Sequence, residues 1–323
     1  MRAYVLTGDG PAILDAPIPE PRAGQVRVKV AANALNRADL AMAAGAMHGS
    51  RGGAGTVLGM EWAGEVEALG DGAAGLELGQ RVMGSGAAAF ADFVCADAAN
   101  VMPVPEANMS FETAACFPVG LRTMHNAIVT VGGLRPGQSV LIQGASSGVG
   151  LLGMQVARLM GAGLVLGSST NAERRARLAQ FGADVAVDTS HEDWPDHVLE
   201  ATGGAGVDLI VDQVSGPLVN GNLRATRILG RIVNVGRLGG NRSQFNADLH
   251  ALRRITYVGV TFRTRTGAEV AEINRLAAAD LWEPLRRGRL AVPIDEVFAF
   301  ERIGEALAKM RANAHFGKIV VRH

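Results

Sequence analysis

The chain has 323 residues, 48% of them apolar, and its 31 Lys and Arg balance 31 Asp and Glu. That length suits two hydrophobic cores better than one. The neutral total offers no field to attract nucleic acid or an anionic membrane, so neither is expected as a partner. Arginines grouped at Arg253–Arg254 and at Arg286, Arg287 and Arg289 read as solvated faces. No uncharged apolar run reaches the roughly 18 residues of a membrane span, and the opening "MRAYVLTGDG" lacks the apolar core of a signal peptide. Two cysteines, Cys95 and Cys116, are too few for a disulfide framework and are expected as small buried hydrophobes. A soluble, reducing, cytoplasmic setting is the expectation.

Residues 1 to about 105 carry short strands parted by glycine and proline. The runs "QVRVKVAA" and "GEVEALG" alternate, "GQRVMG" supplies a strand edge, and "ADFVCADAANVMPVP" closes the series. Short strands at regular spacing predict a small antiparallel, barrel-like domain. From about 118 to 262 strands alternate with helices. The strands are "SVLIQ" (139–143), "LVLG" (164–167), "DVAVD" (184–188), "VDLIVDQV" (207–214), "RIVNVG" (231–236) and "ITYVGVTF" (255–262). Helical stretches such as "LLGMQVARLM" and "AERRARLAQF" lie between them, with Gly161, Gly182 and Gly230 expected at helix ends, where a left-handed cap favours glycine. Near-continuous apolar strands of this kind predict a parallel sheet covered on both faces. A last helix at about 267–287 leads into a strand–helix–strand tail, expected to return to the first domain. The predicted division is 1–117, 118–262 and 263–323.

Directly after the first parallel strand, "GASSGVGLLGMQVA" contains Gly148-x-Gly150-x-x-Gly153 and opens a helix. In this order one glycine makes the turn, another lets the backbone approach a pyrophosphate, and the third packs helix on strand. The helix N-terminus then presents unpaired N–H groups to the phosphates. Ser146, Ser147, Gly148, Val149 and Gly150 form the predicted cradle; the alternative, in a chain with 42 glycines, is a structural turn. About twenty residues on, where an NAD site places a carboxylate, stand Ser168, Ser169 and Thr170, with no carboxylate before Glu173. Small hydroxyls leave room for a 2′-phosphate, and Arg174 or Arg175 can pair with it; otherwise these arginines only solvate the helix. NADPH is the expected cofactor, held through Ser169, Thr170 and Arg174. Gly236 and Phe262 fall at strand ends, which face the ligand crevice of an open parallel sheet, so both are expected near the nicotinamide half.

With "AANALNRADL" (31–40), "LGMEWAGEV" (58–66), "LRTMHNAI" (121–128), "GASSGVG" (144–150) and "HFGKIVV" (315–321) in order, the chain resembles the medium-chain dehydrogenase/reductase superfamily over its whole length. It is most similar to the zinc-independent quinone oxidoreductases, the p53-inducible and zeta-crystallin-like type. The resemblance implies an α/β architecture, a Rossmann parallel-sheet domain inserted in a GroES-like β-rich catalytic domain, in a homodimer. It also implies that Thr123 lies near the cofactor and that Asn36, in its Asn-x-x-Asp segment, lies at the cofactor ribose or substrate end. Zinc-dependent relatives carry Cys, His and Cys ligands where this chain has Asn36, Met60 and Val119. Their structural zinc loop is missing too. A tetrahedral zinc site needs three N, S or O protein ligands, so no metal is expected, and Met60 reads as a core filler.

Glu61 remains beside the lost ligand position and, if buried, needs a partner; Arg37 is the expected one. Asn36 is the candidate catalytic residue, its amide either donating to a substrate oxygen or capping a turn. Asp39 reads as a helix cap or ion-pair partner. The tyrosine that many quinone reductases carry two residues later is here Ala41. Trp62 either narrows a pocket or fills the core, and His125 either delivers a proton or sits satisfied in its helix. Without a Lewis acid, hydride transfer is practical to acceptors activated by their own conjugation, quinones or α,β-unsaturated carbonyls. An enoyl-thioester reductase is the second reading, and a non-catalytic NADPH-binding or RNA-associated protein the third. The apolar "ITYVGVTF" strand is expected at the sheet edge, where a second copy can pair with it.

Overall fold

Valine at every second position of "QVRVKV" sets the first sheet. Val26, Val28 and Val30 are buried, whereas Lys29 is exposed on the opposite face, as the two-residue period of a strand requires. A computed structural model describes residues 1–49, 51–105 and 109–323. Packing divides the chain into two units, Met1–Val119 with Phe262–His323, and Gly120–Thr261.

The first unit opens with a hairpin of β1 (Arg2–Thr7) and β2 (Gly10–Asp15). β3 (Gln25–Ala34) leads into α1 (Arg37–Ala43). β4 (Glu61–Leu69), β5 (Arg81–Ser85), β6 (Phe93–Asp97) and β7 (Val101–Pro103) follow, then α2 (Phe111–Ala114); α3 (Pro118–His125) carries the chain into the second unit, which begins at Gly120. The "GQRVMG" run is no edge: it becomes β5, hydrogen-bonded between β4 and β7. Trp62 is fully buried in the core among Val28, Val66 and Val82, and its ring fills the space a side chain at Gly84 would need. Of its two alternatives, the core is the one the structure shows.

In the second unit β8 (Ser139–Ile142), α4 (Gly148–Leu159), β9 (Leu164–Ser168), α5 (Ala172–Arg175), β10 (Val185–Val187), α6 (Trp194–Ala201) and β11 (Val207–Asp212) alternate. They are followed by α7 (Val219–Ala225), β12 (Thr226–Asn234), α8 (Ala247–Arg253) and β13 (Thr256–Gly259). The six strands are parallel in the order β10-β9-β8-β11-β12-β13. The order reverses between β8 and β11, and in such doubly wound sheets that switch point opens a crevice at the carboxyl ends of the strands. β13 is an edge strand, as its apolar sequence suggested.

Gly161 and Gly182 take left-handed conformations, at φ +87° and +97°, after α4 and after the 3₁₀ turn that ends the "AERRARLAQF" stretch. Gly230 does not cap a helix. It lies inside β12, whose register against β11 jumps between Thr226 and Arg231. A side chain there would press on Thr226 and on the Arg227 and Asp208 carbonyls, so the irregular strand, rather than a helix end, requires the glycine.

The chain then returns to the first unit through α9 (Gly267–Arg286), β14 (Ile294–Ala299), α10 (Ile303–Arg311) and β15 (Lys318–Arg322). β15 pairs antiparallel with β3 and parallel with β14. A seven-stranded sheet results, ordered β14-β15-β3-β4-β5-β7, with β6 also on β3. Arg286 and Arg287 both pair with Glu283, a solvated face as expected. No helix among the described residues is long and apolar enough to cross a membrane.

Candidate functional site

The chain leaves β8 through Gly144 at φ +68° and enters α4 two serines later. The Ser147 hydroxyl caps the helix, accepting from the Gly150 N–H at 3.0 Å, and so satisfies one donor that the first turn leaves open. A Cβ on Gly150 would lie 2.6 Å from the Gly144 oxygen and 2.7 Å from the Ala145 Cα. Only glycine lets the helix begin so close to the strand. At Gly153 a Cβ would lie 2.9 Å from the Met124 Sδ, which places the third glycine of the fingerprint at a packing contact with α3. The N-terminus of α4 carries partial positive charge and free N–H groups suited to an anion.

The Ser146 and Ser169 hydroxyls stand 3.2 Å apart and join this turn to the end of β9. Thr170 follows, and Asn171 caps α5 by accepting from the Arg174 N–H at 2.9 Å. Arg175 pairs with Asp188 at 2.9 Å and donates to the Ser169 carbonyl at 2.9 Å, so it braces the end of β9. Gly236 packs where a side chain would run into the Gln213 carbonyl. Thr123 and His125 are buried on α3. The second unit thus gathers Ser146, Ser147, Gly148, Val149, Gly150, Ser169, Thr170 and Arg174 around two strand ends, whereas Asn36 and Phe262 belong to the first unit.

Behind these loops runs a chain of buried polar side chains that starts at Ser168 and continues through residues not singled out from the sequence. Ser168 donates to Gln143 Oε1 at 2.5 Å, Gln143 Nε2 to Asn222 Oδ1 at 2.8 Å, and Asn222 Nδ2 to Asp212 Oδ2 at 3.0 Å. Gln213 Nε2 donates to the Gln143 carbonyl at 3.0 Å, tying the ends of β8 and β11 together. The signal available in the sequence was an acid directly after the apolar run "LIV" at the end of the strand.

In the first unit a second cluster forms around Glu61, which is fully buried at the start of β4. Lys318, at the start of β15, donates to Glu61 Oε2 at 2.5 Å, to Asn36 Oδ1 at 3.0 Å and to the Leu35 carbonyl at 3.3 Å. Asn36 Nδ2 donates to the same Glu61 oxygen at 3.0 Å and to the Ala34 carbonyl at 3.2 Å. The Val119 N–H donates to Glu61 Oε1 at 2.6 Å. Glu61 is therefore buried and paired, but Arg37 is not its partner. Arg37 lies at the first turn of α1 and donates to Asn313 Oδ1, while the sheet register carries Lys318 to the carboxylate from 257 residues away. Both amide hydrogens of Asn36 are engaged within the protein, and Asn36 is the N-cap residue of α1. Its side-chain amide is thus spent on Glu61 and the Ala34 carbonyl rather than on the helix N-terminus.

Asp39 Oδ2 accepts from the Asn36 N–H at 2.7 Å, closing the cap. Its Oδ1 is buried with no hydrogen-bond partner, and burial pushes the carboxyl up to about 7. Met60 packs against the core formed by Leu35, Leu58, Phe90 and Ile319. Cys116 is buried and its thiol pushed up to about 12 by that burial. Cys95 is only half-buried, so the expectation of two buried cysteines holds for one. The side chain of Arg265 lies over the Phe262 ring, 5.9 Å from its centroid.

Residues 22–106 match the alcohol dehydrogenase GroES-like domain, and residues 148–279 match the zinc-binding dehydrogenase family. The chain belongs to the medium-chain dehydrogenase/reductase superfamily. Its fold superposes on an NAD-dependent alcohol dehydrogenase with a TM-score of 0.87 and 28% identity, each chain covered in full. It is equally similar to the quinone oxidoreductase of Pseudomonas syringae pv. tomato DC3000, at TM-score 0.88 and 25% identity, again over 100% of both chains. Among curated proteins, it is 30% identical over 302 residues to a phenolphthiocerol/phthiocerol polyketide synthase of Mycobacterium tuberculosis. That match takes 93% of this chain and only 14% of the synthase, so the chain corresponds to one segment of a much longer protein. As a member of this superfamily the protein is an oxidoreductase, built from a GroES-like unit and a Rossmann unit.

Proposed function

We propose that this oxidoreductase is an NADPH-dependent, zinc-independent reductase that delivers hydride to a conjugated acceptor, a quinone or an α,β-unsaturated carbonyl compound. The observation that carries the reading is the ammonium of Lys318 beside Glu61. The three positions that hold zinc in metal-dependent relatives offer here an engaged amide at Asn36, a packed thioether at Met60 and, at Val119, a backbone N–H. Zinc asks for three protein ligands of N, S or O type. An ammonium already pairs with the Glu61 carboxylate. Among the described residues no group of three or more His, Cys, Asp or Glu is placed to hold a metal. The donor set does not fit zinc, and no step of the proposed reaction passes through it.

The second unit does fit a dinucleotide. The N–H groups at the start of α4 suit a pyrophosphate, and the bare Cα of Gly150 permits its approach. Ser169 and Thr170 leave room for a 2′-phosphate, Arg174 supplies a cation one helical turn away, and Arg175 fixes the Ser169 carbonyl. When bound, reduced nicotinamide supplies the hydride. The chain's part is to orient and to exclude water. Lacking a Lewis acid, it gives an isolated carbonyl little help, so the acceptor must spread the incoming charge itself.

A second reading, an enoyl-thioester reductase, is supported by the match to a polyketide synthase segment, because such synthases carry their intermediates as thioesters and an enoyl thioester is itself a conjugated carbonyl. A panel following NADPH oxidation with ortho- and para-quinones, small enones and crotonyl thioesters separates the two readings. Turnover of quinones and enones, with NADPH bound at least tenfold tighter than NADH, is the expected result. Crotonyl thioester as the sole substrate favours the second reading, and tight NADPH binding without turnover favours a non-catalytic role. Tighter NADH overturns the cofactor assignment.

The edge strand β13 presents unpaired backbone groups, and pairing with its copy across a two-fold axis is proposed to make the dimer. Light scattering at micromolar concentration is expected to give twice the chain mass; a single chain mass removes the dimer.

A further inference from the structure

At the carboxyl end of β11 the backbone enters a conformation that L-residues avoid. Ser215 sits at φ +59° and ψ −145°, a region that is almost glycine-only and is held only where the surroundings over-determine it. Here they do. Asp212 Oδ1 accepts from the Val214 N–H and from the Ser215 N–H, both at 2.8 Å. Its other oxygen takes the Asn222 amide at 3.0 Å, and Asp212 itself is fully buried. Burial pushes its carboxyl up, while the bonds from Ser215 and Val214 pull it down.

The turn thus held is not remote. Its backbone is zipped to the loop after β12, with the Leu238 N–H on the Gln213 carbonyl at 3.2 Å and the Gly239 N–H on the Val214 carbonyl at 2.7 Å. Gln213 reaches the other way: its Oε1 takes the Ser147 hydroxyl at 3.4 Å, the same serine that caps α4. One strained turn therefore touches both sides of the switch point between β8 and β11. A dinucleotide lying across such a switch point has its pyrophosphate at α4 and its adenosine over β9, which leaves the nicotinamide half to the β11 and β12 loops.

We propose that Asp212 is a positioning residue for the dinucleotide: its carboxylate clamps the strained Ser215 turn and so shapes the β11 wall on which the nicotinamide half rests. This rests on the dinucleotide reading given above. Relieving the strain itself, by giving position 215 a residue at home in that conformation, must then lessen the need for the clamp.

The test compares wild type, Asp212→Ala, Ser215→Gly and the double variant. Titrations use NADPH and, as a probe of the adenosine half alone, 2′,5′-ADP. Asp212→Ala is expected to weaken NADPH at least tenfold while 2′,5′-ADP stays within twofold. Ser215→Gly alone is the reference against which the effect of Asp212→Ala in the relaxed turn is measured. The double variant is expected to recover at least threefold of the NADPH loss. A merely structural role lowers both affinities together, and that result, or unchanged NADPH binding by Asp212→Ala, overturns the proposal. Amide exchange at Val214 and Ser215 gives an independent readout: protection lost in Asp212→Ala supports the clamp, and protection retained overturns it. A wild-type protein that binds neither ligand overturns the cofactor reading and the positioning role together, which distinguishes that failure from failure of the clamp alone.

Discussion

Lys318→Met is expected to destabilise the first unit by about 3–5 kcal/mol, the cost of stranding one member of a buried ion pair. The side chains of Lys318 and Glu61 are 4% and 0% exposed, so water cannot replace the lost ammonium. Glu61 would keep hydrogen bonds from Asn36 and the Val119 N–H, but no opposite charge. The Asn36 oxygen and the Leu35 carbonyl would lose their donor as well. Removing both charges should cost far less than removing one, because the desolvation of the carboxylate disappears with it. The double variant Lys318→Met/Glu61→Gln is therefore expected to lie closer to wild type than Lys318→Met does. Urea unfolding of the three proteins checks this. A loss below about 1 kcal/mol in Lys318→Met, the scale of an exposed pair, would mean that the ammonium is not buried on Glu61.

The second large effect concerns Asp39 and depends on pH. Burial raises its carboxyl from 3.8 to about 7 in the folded protein, so folding favours the protonated acid. Below about pH 4 the carboxyl is protonated in both states and costs nothing. Between pH 4 and 7 the unfolded chain ionises while the folded one resists, and stability falls. Above pH 7 both forms are ionised and the loss is complete, on the order of 4 kcal/mol for a three-unit shift. Asp39→Asn keeps an oxygen for the Asn36 N–H and cannot ionise. Its buried NH₂ costs about 1–3 kcal/mol, so the variant should be less stable than wild type at pH 4, where little of the loss has yet occurred, and more stable at pH 8.5. Unfolding curves at the two values that fail to cross would remove the assignment of this titration to Asp39.

Both predictions involve groups that the sequence names and only the fold connects. "GMEWAGEV" shows a glutamate kept beside a methionine, and burial logic alone demands a partner for it. Arg37 was the expected partner, but α1 takes Arg37 to Asn313. The true partner was visible as a lysine inside an otherwise apolar strand, "GKIVV", an anomaly that marks a buried charge. What linked the two was the pairing of β15 with β3. Asp212 is similar: an acid that follows the apolar run "LIV" is legible, whereas the φ of Ser215 that it restrains is not.

The local pattern by itself determined much of this protein. Strand and helix alternation gave the parallel sheet, because each period reports which face meets a core. The glycine spacing placed the helix N-terminus at the cradle, because backbone approach is a property of three residues in a row. The side chains at positions 36, 60 and 119 argued against zinc, because coordination depends on donor type. Tertiary structure decided the rest. It chose Lys318 for Glu61, turned both Asn36 hydrogens inward, committed Arg175 to Asp188 and held Ser215 against its preference. In each case the deciding contact joins side chains or backbone groups that no local period relates, and its energy depends on burial that only the finished packing creates.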